Sequence, residues 1–339
     1  MRSLPEEDLL HIFSHTSKLW EEVRGKSIFI TGGTGFFGKW LVESFLYINK
    51  KLDLNASVTI LTRNAEKFSF DFPYLALDPL VNIIQGDITN FPFPKGKHEF
   101  IIHSAIDYKD DSLALFDSCV NGTRHILEFV KQSCANKFLL VSSGAVYGKQ
   151  PDEISHIPET YSGAPDPMAL NAAYGMAKRK SEYLACEYAK RFDFQVKIAR
   201  CFAFLGPYLP LDKGSAVGNF IRDALLGHEI IIQGDGTPIR SYMYASDLTI
   251  WLWKILFMGV SCRAYNVGSE EEISISDLAS EVVSYLDPNL KVLVLKQKNN
   301  SIKPERYVPS VERAKNELSL EILVTRKNSI LKTAEFNKY

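Results

Sequence analysis

Short apolar runs alternate with amphipathic stretches along the first two thirds of the chain, starting at Lys26. The apolar runs predict six strands, which read SIFITGG, SVTILTRN, VNIIQGD, EFIIHSA, KFLLVSS and QVKIARCF. Helical periodicity occupies several of the intervals, including 39–47, 112–133 and 173–191. Strands that are apolar on both faces and alternate with helices are typical of a parallel sheet covered by helices on both sides. We therefore predict an α/β fold.

The pattern differs at both ends of this region. Residues 1–25 carry apolar positions at roughly helical spacing behind three acidic residues, which predicts a helical extension that packs on the main body. After residue 207 proline and glycine become frequent, and amphipathic helices are predicted near 218–226, 245–257 and 275–286. We therefore divide the chain into the extension, an α/β domain at 26–207 and a smaller C-terminal domain at 208–339. The short apolar run at 264–268 is a candidate to rejoin the main sheet.

Composition and charge narrow the choice of partners. The 339 residues include 39 Lys and Arg against 40 Asp and Glu, so the net charge of −1 gives no reason to expect nucleic acid or an anionic membrane. The most apolar stretch, 250–260, is far shorter than the ~20 residues of a membrane span. The five cysteines are scattered and the seven histidines form no HxH or HxxxH pair. We therefore expect reduced thiols, no metal site and a cytoplasmic protein.

A glycine-rich turn lies between the first predicted strand and the first predicted helix. Gly32, Gly35 and Gly38 have GxxGxxG spacing. In such a turn the first glycine permits a tight bend, the second lets the backbone approach a pyrophosphate, and the third lets the helix pack closely on the strand. The helix N-terminus offers free N–H groups to the phosphates. We predict that this turn, with Phe36 and Phe37 at the helix start, binds a nicotinamide dinucleotide.

The residues after the second strand bear on which nicotinamide cofactor is bound. An acidic side chain there accepts hydrogen bonds from the adenosine ribose of NAD, but this chain has Arg63 and no carboxylate. An arginine is suited to pair with the 2′-phosphate of NADP, so we favour NADP and keep NAD as the alternative. We place Asp87 and Ile88, after the third strand, at the adenine. Ser104 and Ala105, after the fourth strand, complete the predicted cofactor site.

A tyrosine and a lysine four residues apart provide the candidate chemistry. Tyr174 and Lys178 fall on one face of a predicted helix. A phenol with an ordinary pKa of ~10 is a poor acid or base at neutral pH, but a nearby ammonium and an oxidised nicotinamide stabilise the phenolate. Ser143 ends the fifth strand, at the sheet edge where open α/β folds bind ligands. We predict that Ser143 hydrogen-bonds the substrate oxygen.

Several motifs together resemble one enzyme family. The chain is similar, from about residue 26 to residue 318, to the extended short-chain dehydrogenases/reductases of the nucleotide-sugar epimerase, dehydratase and reductase group. The motifs that carry the resemblance are TGGTGFFG, IIHSA, SSGAVYG, YGMAK, the Arg200–Pro207 run and GDGTPIRSYMYASD. The resemblance implies a Rossmann-like, doubly wound parallel sheet followed by a smaller C-terminal α/β substrate domain. It also implies a homodimer that acts on a nucleotide-diphosphate sugar, as in polysaccharide biosynthesis.

The resemblance also assigns roles to individual residues. It implies that Ser143, Tyr174 and Lys178 are the catalytic triad, and that Tyr174 and Lys178 also contact the cofactor, with Lys178 orienting its ribose. It places Arg240, and Arg306 in the run KPERYVPS, at the diphosphate of the substrate. Guanidinium groups are suited to this contact because their planar N–H donors form paired hydrogen bonds with phosphate oxygens.

This chain departs from the family pattern at positions that decide the reaction. The 4,6-dehydratases carry an Asp-Glu pair directly after the catalytic Ser or Thr, and the sugar-acid decarboxylases carry a Glu in that stretch. Here the two positions are Gly144 and Ala145, which have no group that exchanges protons. We therefore disfavour elimination and decarboxylation. Ala203 and Cys119 also replace asparagines that are frequent in the family, so the pose of the substrate stays open.

We favour an NADPH-dependent reductase that delivers a hydride to the 4-keto group of a nucleotide-diphosphate 4-keto-6-deoxyhexose, with Tyr174 as proton donor. The alternatives are an NAD-dependent 4-epimerase, which oxidises and re-reduces the same carbon, and a 4,6-dehydratase. A non-catalytic NADP-binding regulatory protein also remains, although the presence of Ser143, Tyr174 and Lys178 counts against it. A reductase of steroid or flavonoid-like ketones is a further alternative, against which Arg240 and Arg306 count.

Overall fold

The computed structural model describes residues 2–106, 111–212, 214–299, 301 and 303–338. Their contacts divide the chain into two units. The first unit contains the residues up to Gly148 together with Gly163–Cys201 and Thr249–Tyr265. The second unit contains Lys149–Ser162, Phe202–Leu248 and the residues from Asn266 onward. The chain thus passes between the units several times, whereas the sequence pattern predicted one boundary after residue 207.

The strands and helices have the following bounds. The strands are β1 (Ser27–Thr31), β2 (Ser57–Thr62), β3 (Val81–Gln85), β4 (Phe100–His103), β5 (Lys137–Ser143), β6 (Gln195–Cys201), β7 (Phe204–Leu205), β8 (Ile230–Ile232), β9 (Ile239–Ser241), β10 (Met243–Tyr244), β11 (Arg263–Val267), β12 (Glu272–Ser274), β13 (Val292–Val294) and β14 (Arg306–Tyr307). The α-helices are α1 (Glu6–Thr16), α2 (Phe36–Leu52), α3 (Ala65–Asp71), α4 (Pro73–Ala76), α5 (Ser112–Gln132), α6 (Ala173–Phe192), α7 (Ala216–Leu225), α8 (Ala245–Met258), α9 (Ile275–Leu286), α10 (Glu312–Leu318) and α11 (Arg326–Asn337). The segments Ser17–Val23 and Gly144–Tyr147 form 3-10 helices.

The central sheet of the described chain has seven strands in the order β11-β6-β5-β4-β1-β2-β3. β1 pairs in parallel with β2 and β4, so that Ile30 lies opposite both Ile60 and Ile102. The pairs β2–β3, β4–β5 and β5–β6 are parallel as well. The predicted α/β class with a Rossmann-like parallel sheet is therefore confirmed. This arrangement places the carboxyl ends of β1, β4 and β5 at one edge of the sheet, where the site residues follow.

The N-terminal extension and α8 both contribute to the first unit. Trp20, in the 3-10 helix that follows α1, is fully buried. Its ring centroid lies 4.7 Å from that of Trp253 and 5.3 Å from that of Phe257, both on α8. A helix that is apolar on nearly all sides, as α8 is, needs burial on all sides. This explains why residues 249–265 join the first unit although the sequence pattern assigned them to the C-terminal domain.

The second unit has its own core between α7, α9 and α11 and the short strand β8. Val217, Ile221, Leu278 and Ile330 are fully buried in this core. A small sheet in the order β12-β9-β14 carries the two arginines that the sequence assigns to substrate binding. Among the described residues, every helix is too short or too polar to span a bilayer.

Candidate active site

The glycine turn after β1 is shaped by two positions that have no room for a side chain. Gly32 has a φ of +72°, in the left-handed region, and a Cβ atom there would lie 2.8 Å from the Cα of Ala105. A Cβ atom at Gly38 would overlap the carbonyl oxygen of Gly32. Gly35 precedes the first residue of α2, and no described side chain caps this helix N-terminus. The turn therefore presents bare backbone and free N–H groups, which is the arrangement that a pyrophosphate requires.

The residues after β4 lie directly over this turn. The Ser104 hydroxyl donates a hydrogen bond of 2.7 Å to the carbonyl oxygen of Thr31, and the Ala105 N–H donates one of 3.2 Å to the Thr31 hydroxyl. Because Gly32 follows Thr31, the structure brings Gly32, Ser104 and Ala105 together. These three residues were all predicted to belong to the cofactor site.

A buried histidine connects the turn to its surroundings. The Nδ1 atom of His103 lies 2.8 Å from the hydroxyl oxygen of Thr31, and Nε2 lies 3.4 Å from that of Thr123 on α5. Burial, together with the smaller effect of the nearby Lys178 ammonium, lowers the pKa of His103 to about 3. The imidazole is therefore neutral at neutral pH and acts as a hydrogen-bonding bridge. The sequence pattern predicts no role for His103, because a lone histidine within an apolar strand carries no distinctive signal.

The other predicted cofactor residues lie in different environments. Arg63 is exposed directly after β2. Asp87 is half-buried, and its carboxylate accepts hydrogen bonds from the N–H and the hydroxyl of Thr89, at 2.9 and 2.6 Å. Ile88 is buried in the core of the first unit. Ile88 thus contributes to packing, and the polar atoms of Arg63 and Asp87 lie nearer the surface.

A nicotinamide dinucleotide fits this set of residues. The bare backbone at Gly32 and Gly38 and the uncapped start of α2 would hold the pyrophosphate. Phe36 and Phe37 form the first residues of α2, half-buried, with ring centroids 5.5 Å apart. This fit depends on the absence of a Cβ atom at Gly32 and Gly38, since a side chain at either position would keep the pyrophosphate away from the backbone.

The three predicted catalytic residues come from two neighbouring elements. Ser143 is buried at the end of β5, where its hydroxyl oxygen accepts a 3.1 Å hydrogen bond from the N–H of Ala145. Tyr174 is half-buried in the first turn of α6, one helical turn before Lys178. A Cβ atom at Gly175 would overlap the carbonyl oxygen of Ala145, so α6 packs tightly on the segment that follows Ser143. The structure therefore brings the start of α6 and the end of β5 into contact.

The lysine that is predicted to be catalytic is held in an apolar setting. Lys178 is 1% exposed, and its ammonium donates a 2.8 Å hydrogen bond to the carbonyl oxygen of Val141 on β5. Burial lowers the pKa of Lys178 below its ordinary value, and the carboxylate of Glu182 opposes this shift without reversing it. A lysine whose pKa is lowered in this way is suited to shift the pKa of a neighbouring phenol.

An ion pair next to these residues escaped the sequence analysis. Arg200 on β6 binds the Glu182 carboxylate through two nitrogens, with Nη2–Oε2 and Nε–Oε1 distances of 2.6 and 3.0 Å. Oε1 of Glu182 also accepts a 2.6 Å hydrogen bond from the hydroxyl of Ser142. Nη1 of Arg200 donates a 2.9 Å hydrogen bond to the hydroxyl of Tyr147. The sequence did contain one signal for Glu182. Tyr174, Lys178 and Glu182 follow one another at intervals of four residues, which places them on one helix face.

The two predicted substrate arginines lie in the second unit, on adjacent strands. In the register of β14 and β9, Arg306 lies opposite Ile239 and Tyr307 lies opposite Arg240. Paired residues point to the same face of a sheet and successive residues point to opposite faces. Arg240 and Arg306 therefore project from opposite faces of this small sheet. Each forms an ion pair, Arg240 with Glu305 at 2.9 Å and Arg306 with Glu272 at 2.5 Å.

The second unit also contains a cavity of about 990 Å³. It is lined by α7, by the strand β8 and by the loops on either side, including Ala216, Asn219, Arg222, Gln233 and Gly236. The amide oxygen of Asn219 is buried and has no hydrogen-bond partner among the described residues. Such an acceptor calls for a donor from a ligand or a water molecule. The sequence analysis did not identify this cavity, because its lining is assembled from separate segments.

Within the described ranges, no group of three or more His, Cys, Asp and Glu side chains is arranged to hold a metal ion. The five cysteines are free thiols, of which Cys119 and Cys201 are buried.

Comparison with known proteins identifies relatives along most of the chain. The chain is 29% identical over 298 residues to UDP-glucuronic acid decarboxylase 3 of Arabidopsis thaliana, which covers 87% of this chain and 84% of that protein. It is 26% identical over 329 residues to UDP-glucuronic acid decarboxylase 1 of Xenopus tropicalis, covering 94% of this chain and 74% of the relative.

Solved structures share the fold. The UDP-glucuronic acid 4-epimerase from Bacillus cereus, in complex with NAD, has a TM-score of 0.76 at 21% identity, covering 91% of this chain and 96% of that one. The UDP-glucose 4-epimerase of Thermotoga maritima, solved with UDP-glucose, has a TM-score of 0.75 at 19% identity, covering 91% and 98%. Residues 28–268 match the sequence pattern of the NAD dependent epimerase/dehydratase family. On this match, and with a glycine turn and parallel sheet of the kind described above, the chain belongs to the NAD dependent epimerase/dehydratase family.

Proposed function

We propose that this protein is an NADPH-dependent reductase of the 4-keto group of a nucleotide-diphosphate 4-keto-6-deoxyhexose. The observation that carries the proposal is the combination of Ser143, Tyr174 and Lys178 with Gly144 and Ala145. The first three residues supply the groups for carbonyl reduction. The last two provide no acid or base for any other step at the sugar.

The chemistry follows from the side chains. When bound, the reduced nicotinamide supplies the hydride. Tyr174 donates its phenolic proton to the oxygen that becomes negative, and the Ser143 hydroxyl stabilises the same oxygen by a hydrogen bond. The ammonium of Lys178 stabilises the tyrosinate that remains. A bound water or the solvent then returns the proton to Tyr174.

Decarboxylation and elimination have little support in this chain, although the relatives named above include decarboxylases. Both reactions need a proton to be taken from or given to a carbon or a leaving oxygen besides C4. Ala145 and Gly144 occupy the positions at which the family places carboxylates for this purpose. We therefore propose that the reaction ends with the alcohol at C4.

The choice of NADPH rests on Arg63. Its exposed guanidinium follows β2, where an NAD-binding protein of this fold presents a carboxylate to the ribose. Solved neighbours of the chain were determined with NAD, such as the epimerase from Bacillus cereus. Arg63 is thus the feature on which this protein would differ from them.

A nucleotide-diphosphate sugar is the proposed substrate, and a homodimer the proposed assembly, the latter on family resemblance alone. The cavity in the second unit has the size for a nucleoside, and the unpartnered oxygen of Asn219 would accept a hydrogen bond from an N–H of the base. Arg240 or Arg306 would bind the diphosphate after exchanging its glutamate for phosphate oxygens.

A 4-epimerase is the second candidate. The absence of carboxylates at 144 and 145 leaves a cycle of oxidation and re-reduction at C4 unaffected, and both solved neighbours named above are 4-epimerases. This candidate would retain its cofactor and show no net consumption of it.

The test uses purified protein, a nucleotide-diphosphate 4-keto-6-deoxyhexose and NADPH deuterated on the transferable position. We expect loss of the reduced-nicotinamide absorbance and one deuterium at C4 of the product by mass spectrometry. A protein that leaves NADPH unchanged but interconverts the two 4-epimers of a nucleotide hexose is an epimerase. The Tyr174→Phe variant is the matched control, since it removes only the proton donor.

A further inference from the structure

We propose that the buried ion pair between Glu182 and Arg200 is the positioning element of this active site. It holds the strand end that carries Ser143 against the helix that carries Tyr174 and Lys178, and its two charges cancel beside Lys178. The proposal rests on the proposed function, because it assumes that these three residues act on the substrate.

The pair itself is well built and shielded from water. The side chains of Arg200 and Glu182 are 15% and 10% exposed. Two arginine nitrogens bind the two carboxylate oxygens, and the bonds are charge-assisted. Such a pair has a defined geometry, and removal of one partner leaves an uncompensated charge in an apolar setting.

The pair forms hydrogen bonds with residues on both sides of Ser143 in the chain. Glu182 accepts the hydrogen bond of Ser142, the residue directly before Ser143. Arg200 donates to the hydroxyl of Tyr147, the last residue of the 3-10 helix that follows Ser143, and Tyr147 is 1% exposed. The segment from 142 to 147 is thereby tied at its two ends to one pair of charges.

The same pair is placed in line with the catalytic residues of α6. Tyr174, Lys178 and Glu182 are each four residues apart, so they share one face of the helix at steps of about one turn. Glu182 therefore connects the β5 end to the helix face that presents the phenol and the ammonium. The pair thus fixes helix and strand relative to each other about two helical turns from the phenol.

The charges around Lys178 make the pair electrically relevant. Four titratable groups from four elements lie near the ammonium: His103 on β4, Cys119 on α5, Cys201 on β6 and Glu182 on its own helix. Burial lowers the pKa of His103 and raises that of Cys201, so both are neutral at pH 7. Arg200, on β6, neutralises Glu182. Loss of one partner would therefore leave one uncompensated charge near Lys178 and Tyr174. The electrostatic potential at these two groups would rise if Glu182 is lost and fall if Arg200 is lost.

This sign distinguishes positioning from mere structural support. A pair that only stabilises the fold would produce the same loss of stability and activity from either side. A pair that balances charge beside the catalytic groups would shift the ionisation of Tyr174 in opposite directions. At an effective dielectric of ~20, one charge two helical turns away, ~11 Å, changes an ionisation midpoint by about one pH unit.

The experiment measures the ionisation of Tyr174 in the cofactor-loaded protein. Protein labelled with ¹³C at the tyrosine ζ carbon is titrated by NMR, and the Tyr174 signal is the one that Tyr174→Phe removes. Glu182→Gln leaves Arg200 unbalanced, and we expect the Tyr174 midpoint to fall by about one pH unit. Arg200→Gln leaves Glu182 unbalanced, and we expect the midpoint to rise by a similar amount. The double variant should return it close to the wild-type value.

Matched controls separate this effect from general damage. Glu281→Gln breaks an equivalent two-nitrogen pair with Arg326 in the second unit and should leave the Tyr174 midpoint unchanged. Arg200→Lys keeps the charge and loses the paired geometry, so it should keep the midpoint while lowering kcat more than it changes KM.

Shifts in the same direction from both single variants, or no shift from Glu182→Gln, would overturn the proposal. If Arg200→Gln does not fold, the downward shift of Glu182→Gln decides alone. The titration needs no substrate, so an absence of turnover with the 4-keto sugar would count against the reductase and not against the pair.

Discussion

The two units of this protein present their candidate ligand contacts in different ways. In the first unit the contacts predicted for the cofactor pyrophosphate are backbone, because Gly32 and Gly38 exclude side chains and the backbone of Ala105 closes over the turn. In the second unit the predicted substrate contacts are the side chains of Arg240 and Arg306, and each is already paired with a glutamate. Backbone geometry is set by the fold, whereas ion pairs that lie near the surface are typically worth about 1 kcal/mol or less. We infer that the cofactor half is preorganised and that the substrate half is completed by the exchange of ion pairs.

The largest expected effect tests the catalytic end of the first unit. Tyr174→Phe should lower kcat by about 10²–10⁴-fold, because the proton donor is removed while the packing of the ring is kept. Steady-state kinetics with the 4-keto sugar measures the loss. NADPH affinity, measured by fluorescence, should stay within a factor of two or so of the wild type. Turnover close to normal would exclude Tyr174 as the proton donor.

The prediction that the cofactor pyrophosphate is bound by bare backbone is tested at Gly38. Gly38→Ala should weaken NADPH binding by about tenfold or more, because the new Cβ atom would overlap the Gly32 carbonyl oxygen and displace the turn. Gly234→Ala in the second unit is the control, since a Cβ atom there meets nothing within 4 Å. Calorimetric titration of both variants with NADPH measures the difference. Equal affinities would show that the turn tolerates a side chain.

The side-chain character of the substrate half is tested by comparing two arginines. Arg240 and Arg306 project from opposite faces of one small sheet, so one diphosphate bound at one face contacts only one of them. We expect Arg240→Ala to raise KM for the sugar nucleotide by about tenfold or more, in line with the loss of a charge-assisted hydrogen bond. Arg306→Ala should leave KM nearly unchanged. The reverse result would move the diphosphate to the other face, and equal large effects would refute the single-face arrangement.

The smallest expected effect concerns the choice of cofactor. Arg63→Asp replaces a cation by the carboxylate that NAD-binding members of this fold present to the ribose. We expect the ratio of NADP to NAD affinity to fall by roughly tenfold, from the loss of a charge-assisted contact. Binding curves for both cofactors give the ratio. Lys67→Asp is a control for a general change of charge near this position. Lys67 lies in the first turn of α3 and pairs with Asp71, and it has no predicted role in cofactor binding.

Helix bounds show how far periodicity reaches. The helix predicted at 275–286 is α9, with the same bounds, and that predicted at 173–191 is α6, one residue longer. By contrast, periodicity indicated 39–47 where α2 spans Phe36–Leu52. Asn49, beyond the predicted end, is buried in α2, where its side-chain amide donates a hydrogen bond to the carbonyl oxygen of Ala56 and accepts one from the Ala56 N–H. A buried polar residue that is hydrogen-bonded to a residue outside its helix interrupts the apolar pattern by which the helix is recognised.

The candidate site divides in the same way. The sequence identified the glycine turn and the Tyr174–Lys178 spacing, because both depend on residues that are close along the chain. It could not identify the Glu182–Arg200 pair as a connection, since its partners are 18 residues apart and meet only when α6 packs on β6. The cavity near Asn219 is likewise invisible in the chain order.

Local chemistry was determined by the sequence alone: an α/β chain, a turn of glycines for a dinucleotide, and a phenol and an ammonium one helical turn apart. These features follow from short-range sterics and from the 3.6-residue period of a helix. Only the tertiary structure decided which strands are neighbours, which faces Arg240 and Arg306 occupy, and which charges balance beside Lys178. The reason is physical: strand order and side-chain pairing depend on contacts between residues far apart in the chain, which no local pattern encodes.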